Sequence, residues 1–438
     1  MVRMQLSRRR FLQGVSWLSA GTLVAACTAP MPTPAGMDEG AAAEPVRIRF
    51  AGWGNTEELT LYENIAAAHR EEDPGIEIEN LGFPFSDYAQ KLFAWIASGD
   101  PPENLRTGTQ FFPTLWADDV LLPLTEYFNV EENFLDDSHY MTELFDIYTM
   151  DDDMFATVIG PNVMAAYLNM DMLEAAGLEY PAETWTYDDW VAMAQAMTGG
   201  EGIDRTFGST NAYWWMVWQV QLWARGGDLF DQVYDPTTCT LDSEAMVATC
   251  RWHQDLVHTH KVAPTAGEAA GFEGGWNSGR IGMEVTGTWA VNARRKIDAF
   301  NWDLAHLPQD MHQATSHLAG GIVIPKTARN PDAAWSHAAY HIKDRAQEMY
   351  AMDGLNAPIM LKWSNSPTFL ELEGAPPRHK IRVDAMSYSR NRDFYFAQWT
   401  EVRNKAFNPE MDKLMTGEQT PEDTARNMAQ KAQEILDG

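Results

Sequence analysis

Aromatic side chains at the predicted ends of strands and helices are the residues of this sequence best suited to ligand chemistry. The chain of 438 residues contains 17 Trp. Six large aromatics fall in loops or at element ends, namely Trp53, Phe111, Tyr213, Trp214, Trp289 and Trp399. Aromatic rings stack on the flat C–H faces of sugars, whose hydroxyls then need planar polar groups such as Asn, Gln, Asp and Arg. One such aromatic more often belongs to a core, but their shared location at element ends favours a binding crevice.

Sequence motifs that carry catalysis do not occur in the chain. HExxH, Gly-x-Ser-x-Gly, GxxxxGK[ST] and Cys-x-x-Cys patterns are all missing. His258 and His260 lie two positions apart near a predicted helix end, where they do not converge on a metal. Residues 151–153, three aspartates, are typical of an acidic hairpin turn, since no EF-hand spacing accompanies them. We therefore predict no metal, cofactor or catalytic residue, and keep a carbohydrate-active enzyme with two opposed carboxylates as a minor alternative.

The elements that would position the aromatics begin with alternating strands and helices. The predicted order is strand 46–50, helix 57–71, strand 76–79, helix 88–98 and strand 104–107. This alternation indicates an α/β fold with a largely parallel sheet. Because ligands meet such sheets at the carboxyl ends of the strands, residues 53–55 and 109–111 are expected to face one crevice.

Downstream segments continue the mixture of strands and helices. We predict a hairpin over 148–158, a helix capped by Thr186, helices over 213–225, 243–260, 290–299 and 332–351, a strand over 319–324, and helix through most of 382–438 with breaks at 408–409 and 417–421. The stretch Gly275–Trp289 joins a turn to a short apolar strand and presents Trp289 after a break at Gly287. The chain is longer than one core usually supports, so two lobes are expected.

The first 44 residues are predicted to direct export and anchoring rather than to fold. Arg8 and Arg9 precede an apolar run that ends at Cys27, and this run is shorter than the roughly 20 residues of a spanning helix. Residues 1–26 resemble a twin-arginine export signal, and Val24–Cys27 resembles a lipobox whose Cys is lipidated. Residues 27–44 carry that Cys and a flexible tether rich in Pro, Ala and Gly. We therefore predict an extracytoplasmic protein held at the cell membrane by a lipid on Cys27.

The charge of the chain limits its partners. Lys and Arg number 32 against 62 Asp and Glu, which gives a formal net charge of −30. Such a surface repels nucleic acid and anionic lipid, so nucleic acid is excluded as a partner and membrane association rests on the lipid.

Apart from Cys27, only Cys239 and Cys250 remain, and they can form a disulfide or stay as buried thiols.

Several short motifs occur in a fixed order along the chain. They are Tyr88-Ala-Gln-Lys-Leu92 with Ala97–Pro102, Leu121-Leu-Pro-Leu124, Tyr167–Asp171 with Ala176-Gly-Leu178 and Pro181–Trp185, Gly279–Met283 with Gly287-Thr-Trp289, and Gly320-Gly321 with Ile324-Pro-Lys326. In this order they resemble the extracellular solute-binding proteins of sugar-type ABC transporters, the family that contains maltose-binding protein. The resemblance covers nearly all of the chain after the tether. Glu103 and Val120 depart from the family pattern at positions away from the expected ligand.

The resemblance implies a fold and a set of site residues. The fold is α/β and of the type II periplasmic-binding-protein kind, with lobe one formed by residues 45–157 plus 323–362, lobe two by residues 158–322 plus 363–438, and a ligand cleft between them. Ligand contacts would fall at Trp53, Gly54, Asn55, Thr109, Gln110, Phe111, Asn162, Tyr213, Trp214, Trp215, Trp289, Gly320, Gly321 and Trp399. Gln110 and Asn162 are neutral, which fits an uncharged ligand. Trp276 has no matched role and is assigned to core or surface.

The function implied is capture of a sugar or oligosaccharide by closure of the lobes. The closed form would deliver its ligand to membrane permease subunits, act as a monomer and catalyse no reaction. A binding protein for a non-sugar solute such as a polyamine is the alternative, although a polyamine would want several acids beside the aromatics and the matched positions offer few.

Overall fold

The computed structural model describes residues 44–130, 138–270, 275–391 and 394–438. The predicted export signal, Cys27 and nearly all of the tether lie outside these residues. Within them, no helix combines the length and the apolar character that crossing a membrane requires.

The N-terminal part follows the predicted alternation of strands and helices. It consists of β1 (Val46–Trp53), α1 (Thr56–Glu72), β2 (Ile76–Phe83), α2 (Phe85–Ser98) and β3 (Asn104–Thr107). Strand β1 lies between β2 and β3 and is parallel to both. The predicted α/β start is therefore confirmed, with β1 extending three residues beyond its expected end.

Two long strands form the middle of the sheet. Strand β6 (Ala156–Asn169) is buried along its whole length and pairs antiparallel with β10 (Thr315–Val323). Opposite Gly320 stands Gly160, but opposite Gly321 stands Val158, so Ile159 has no partner in the ladder. This one-residue offset is a β-bulge.

The other strands extend the sheet on both sides of this pair. They are β7 (Phe207–Ser209), β8 (Ile281–Gly287), β9 (Trp302–Ala305) and β11 (Ser389–Asn391), while β4 (Thr149–Met150) and β5 (Asp153–Met154) form a separate hairpin. The main order is β2-β1-β3-β10-β6-β8-β7. At the predicted acidic hairpin turn, Asp151 and Asp152 both have positive φ, as a two-residue turn of type I′ requires.

Helices cover both ends of the sheet. After α2 they are α3 (Phe112–Ala117), α4 (Thr125–Val130), α5 (Met170–Ala175), α6 (Tyr187–Met197), α7 (Trp215–Ala224), α8 (Glu244–His258), α9 (Ala266–Ala269), α10 (Ala290–Arg294), α11 (Pro331–Tyr340), α12 (Asp344–Asp353), α13 (Leu361–Ser364), α14 (Pro367–Leu370), α15 (Ile381–Asp384), α16 (Trp399–Val402), α17 (Asn408–Thr416) and α18 (Pro421–Asp437). Thr186 caps α6 through a reciprocal bond with Asp189, so the predicted cap is confirmed.

Four helical predictions are wrong in detail. The helix expected over 290–299 ends at Arg294, and the helical stretch expected from residue 382 is interrupted by β11. The expected single helix over 332–351 is divided into α11 and α12, because the chain turns at residues 341–343 before Asp344 opens a new helix. The expected break at 408–409 is missing: Pro409 lies in the first turn of α17, where its lost N–H is tolerated, and the helical path runs from α16 through a π-helix at Arg403–Phe407.

The hydrophobic core is divided between the two ends of the molecule. One large cluster takes its buried residues from 164–314 and 394–432. Two others take nearly all of theirs from 48–159 and 319–359. This division follows the predicted lobes closely, and the lobe boundaries themselves stay a prediction. Cys239 and Cys250 are both free thiols in the structure, so the disulfide alternative is not observed.

Candidate functional site

A cavity of about 450 Å³ lies beside the crossing of β6 and β10. Its lining combines aromatic rings with a few polar groups: Trp53, Glu58, Phe85, Arg106, Gly108, Gln110, Asn162, Trp214, Trp215, Met216, Trp289, Leu318, Ala319, Gly320, Asn356 and Arg403. Both predicted lobes contribute to it. Concave sites of this size that mix aromatic walls with convergent polar groups are typical of small-ligand binding.

Trp53 and Arg106 build one wall at the carboxyl ends of β1 and β3. The Arg106 guanidinium lies 4.0 Å from the centroid of the Trp53 ring, and its Nη1 donates to the Trp53 carbonyl. Glu58 approaches Nη1 of Arg106 to 3.6 Å. Because Arg106 is buried, this carboxylate and the ring together compensate the charge.

Glu58 reaches this wall because of how α1 begins. The amide of Glu58 donates to the side chain of Asn55 at 2.9 Å, and the Asn55 amide donates to Glu58 Oε2 at 2.8 Å. This capping box occupies one carboxylate oxygen and leaves the other toward Arg106. Local sequence at the start of a helix thus fixes a charged group of the cavity.

Trp214 and Trp289 form the facing wall. Their ring centroids are 6.2 Å apart with the planes tilted by 58°. Trp214 precedes the first turn of α7, and Trp289 follows β8, so each ring stands at the end of an element, as predicted. Both side chains are only partly buried and can offer ring surface to a ligand.

A buried amide pair forms the floor. Asn162 on β6 donates from Nδ2 to Oδ1 of Asn356, while its own Oδ1 accepts from Thr288 Oγ1 at 3.0 Å. The loop that carries Asn356 presses on Gly160, where a β-carbon would lie 2.3 Å from the carbonyl oxygen of Ala357. Gly160 has φ of 142°, so both its space and its backbone conformation require glycine.

Arg403 spans the cavity between the two predicted lobes. Its Nη2 lies 3.4 Å from the Gln110 carbonyl oxygen, and its guanidinium lies 5.2 Å and 5.1 Å from the ring centroids of Trp215 and Trp399. Arg403 begins the π-helix, an irregularity that often marks functional sites.

Half of the predicted ligand residues line the cavity, namely Trp53, Gln110, Asn162, Trp214, Trp215, Trp289 and Gly320. The other seven do not line it. Asn55 caps α1 on the surface, Thr109 is fully buried, and Phe111 is 7% exposed beneath Phe85. Trp399 is 1% exposed and packs edge-on against Trp215.

The remaining three predicted residues also lie outside the lining. Gly54 abuts Glu58, whose Cβ would be 2.6 Å from an added β-carbon, and Gly321 abuts Tyr148 in the same way. Tyr213 directs its hydroxyl to Asp412; burial and this carboxylate raise the pKa of the phenol. Trp276, assigned to core or surface, is 2% exposed.

Sequence reasoning missed the charged lining of the cavity. Glu58, Arg106 and Arg403 add two positive charges and one negative charge to a site expected to be neutral. The position of Arg106 at the end of a parallel strand was a usable signal. Asn356 and Arg403 lie far along the chain and reach the cavity only through tertiary packing.

The chain was compared with known families and structures. Residues 64–377 match the family model described as bacterial extracellular solute-binding protein. Among solved structures, an ABC substrate-binding protein from Listeria monocytogenes in complex with cycloalternan is 21% identical with a TM-score of 0.82, and the match covers 90% of this chain and 100% of that chain.

Two further solved structures share the architecture. A maltose-bound protein of T. maritima is 20% identical with a TM-score of 0.74, over 89% of this chain and 99% of that chain. A protein from Mycobacterium tuberculosis in complex with glycerophosphocholine is 17% identical with a TM-score of 0.75, over 90% and 99%. At these identities the likeness establishes the fold, which is the expected mixed α/β fold of type II periplasmic binding proteins.

Proposed function

We propose, from the premise that this chain belongs to the bacterial extracellular solute-binding proteins, that it captures a sugar or oligosaccharide for an ABC importer. The observation that carries the proposal is the cavity whose facing walls hold Trp53 on one side and Trp214 with Trp289 on the other. Stacking between such rings and hydrogen bonding to Gln110 and Arg106 is the chemistry that sugars require. Solved neighbours in complex with cycloalternan and maltose agree with this choice.

Binding is proposed to close the two lobes about the crossing of β6 and β10. The bulge at Ile159 interrupts the ladder there and gives the strands a place to bend. Contacts that join the predicted lobes support a closed state: Arg403 approaches the Gln110 carbonyl at 3.4 Å, and Asn292 donates to Asp353 Oδ1 at 2.8 Å. Ligand that bridges both walls would favour this state over an open one.

Catalysis is not part of the proposal. Glu58 is the single carboxylate among the described residues that line the cavity, whereas glycoside hydrolysis uses two carboxylates flanking the bond. The same observation disfavours a polyamine, which would need several acids where the cavity instead holds Arg106 and Arg403.

The cellular setting is proposed from the sequence of the first 44 residues. The twin arginines and Cys27 support export followed by lipid anchoring outside the cytoplasm. The partners would be permease subunits that receive the closed form, and the protein itself would act as a monomer.

The proposal is tested with the protein carrying Cys27→Ser, which takes no lipid. Intrinsic Trp fluorescence and melting temperature are measured against sugars of one to four rings, polyamines and glycerophosphocholine. A sugar at 100 times its Kd should raise stability by about 2.7 kcal/mol. A response to polyamine with none to any carbohydrate would overturn the sugar assignment, and product formed on prolonged incubation would favour an enzyme.

A further inference from the structure

Phe85 stands apart from the other aromatic residues of the cavity. It belongs to the lining and is 48% exposed, while Trp53, Trp214, Trp215 and Trp289 are buried or partly buried. A residue that both lines a cavity and reaches solvent lies at its mouth. Phe85 therefore marks the place where a ligand would leave the enclosed space.

The ring of Phe85 is held in one orientation by its neighbours. It stacks on Phe111 with centroids 5.7 Å apart and planes 27° from parallel. The Trp53 ring is nearly perpendicular to the Phe85 ring, with centroids 5.6 Å apart and an interplanar angle of 79°. Phe85 is thus in contact with two aromatic rings and is still 48% exposed.

The backbone beneath Phe85 is also fixed. Pro84 caps α2, and Phe85 is its first residue. Tyr88, one turn along, donates from its backbone amide to the Pro84 carbonyl at 3.0 Å and from its hydroxyl to the Arg106 carbonyl. The ring is consequently ordered before a ligand arrives, and stacking on it costs little side-chain entropy.

Single exposed apolar residues are common and need no explanation by themselves. Met311 and Met352 are 71% and 50% exposed, but neither lines the cavity. What distinguishes Phe85 is that its ring lines the cavity beside Trp53, reaches solvent, and is in contact with Phe111 and Trp53.

We infer that Phe85 forms a second stacking platform and that the ligand is therefore a chain of sugar rings rather than one ring. One ring lies inside between Trp53 and the pair Trp214 and Trp289, and a following ring lies outside on Phe85. This inference rests on the proposed function and narrows its substrate class to oligosaccharides. Phe111, predicted from the sequence as a ligand contact, supports the platform from beneath.

The test is calorimetric titration of the Cys27→Ser protein with sugars of one, two and three rings in the gluco, manno and galacto series. Affinity should rise with the number of rings. Phe85→Ala should weaken binding of two- and three-ring sugars about tenfold more than it weakens binding of single-ring sugars. Phe85→Tyr, which keeps a flat ring, should retain most of the affinity, and Met352→Ala should change nothing.

Each other outcome counts against the inference. Equal loss for short and long sugars would mean that Phe85 only shapes the cavity, and no loss for either would mean that it is an ordinary surface residue. If the affinity of the wild-type protein does not rise with the number of sugar rings, the outer subsite does not exist. Absence of any carbohydrate binding would instead refute the proposed function, and the subsite with it. Melting temperatures of the variants show whether the fold is kept.

Discussion

The indole of Trp289 folds back over the backbone of Gly287, so that a β-carbon at Gly287 would lie 1.7 Å from a carbon of the six-membered ring. The Gly287 carbonyl also accepts a hydrogen bond from the Tyr167 hydroxyl at 3.0 Å. This hydrogen bond and the pairing of Gly287 with Met164 on β6 hold the backbone in place. The residue two positions before the ring determines where the ring lies.

Gly287→Ala should displace Trp289 and weaken ligand binding by about 1 kcal/mol, since an added methyl group forces the ring out of its place. Gly267→Ala is the matched control, because a β-carbon there meets nothing within 4 Å. Titration of both variants with the best-binding sugar decides the matter. Equal affinities in the two variants would contradict this account of Trp289.

Trp289→Ala should weaken binding by more than about 1 kcal/mol through loss of a stacking surface. The melting temperature of the protein without ligand should change little, because the ring is only partly buried. Trp363 lies in α13, outside the cavity, so Trp363→Ala should leave the affinity unchanged. An unaltered Kd in the Trp289 variant would remove this residue from the site.

A buried chain of hydrogen bonds connects two histidines below β1. Asn104 uses Nδ2 to donate to the Ala334 carbonyl, so its Oδ1 accepts from Nδ1 of His337 at 2.9 Å. His337 Nε2 must then accept from His341 Nε2 at 3.2 Å, and His341 Nδ1 from the Tyr350 hydroxyl at 2.9 Å. The chain requires a neutral His337, whose Nε2 must accept, and all its bonds are made when both imidazoles are neutral.

Acid should therefore destabilise the protein through this pair. Burial lowers the pKa of His341 to about 3 and that of His337 well below its usual value, and neighbouring histidines and Arg106 act in the same direction. Below a pH of about 6.5 these two histidines bind protons in the unfolded chain but stay neutral in the native protein. The contribution of the two neutral imidazoles to the free energy of unfolding is complete above that pH and is lost as the pH falls toward 3.

Urea denaturation at pH 7.5 and 5.0 measures this loss, which should be about 2 kcal/mol for each buried imidazole. His341→Gln should reduce the difference between the two pH values by that amount. Between pH 7.5 and 8.5 the gap between variant and wild type should stay constant. An unchanged acid loss in the variant would show that His341 does not contribute.

Both thiols of the Cys27→Ser protein should be inert while it is folded. Burial raises the pKa of Cys239 and of Cys250 to about 12, and the thiolate is the reactive species. Ellman's reagent at pH 8 should react slowly with native protein and should label both thiols after unfolding without reductant. Unfolded protein with no reactive thiol would indicate a disulfide instead.

Local signals in the sequence predicted the N-terminal βαβαβ order, the cap at Thr186 and the placement of Trp214 and Trp289 at element ends. Each of these depends on neighbours a few residues away, through spacing of apolar side chains or a capping hydroxyl. The division between α11 and α12 was not predicted, because no Gly or Pro interrupts residues 332–351. Only packing decides that the chain bends at 341–343.

The cavity was predicted incompletely for a similar reason. Phe111 was expected at the ligand, but Phe85 from the preceding helix covers it. Glu58 was predicted only as part of the helix over 57–71, although the cap at Asn55 turns its carboxylate toward Arg106. Which of two nearby side chains reaches a ligand depends on distances between elements, and these are not encoded in spacing along one element.

The bulge at Ile159 also has a consequence for how this sequence can vary. Alternating side chains of β6 change phase at that residue, since Gly320 pairs with Gly160 but Gly321 pairs with Val158. Deleting Ile159, or inserting one residue nearby, would move the side chains of one half of the strand to the opposite face of the sheet, and both faces are buried. Insertions and deletions among homologues of this protein should therefore occur in surface loops, and β6 should keep the same number of residues.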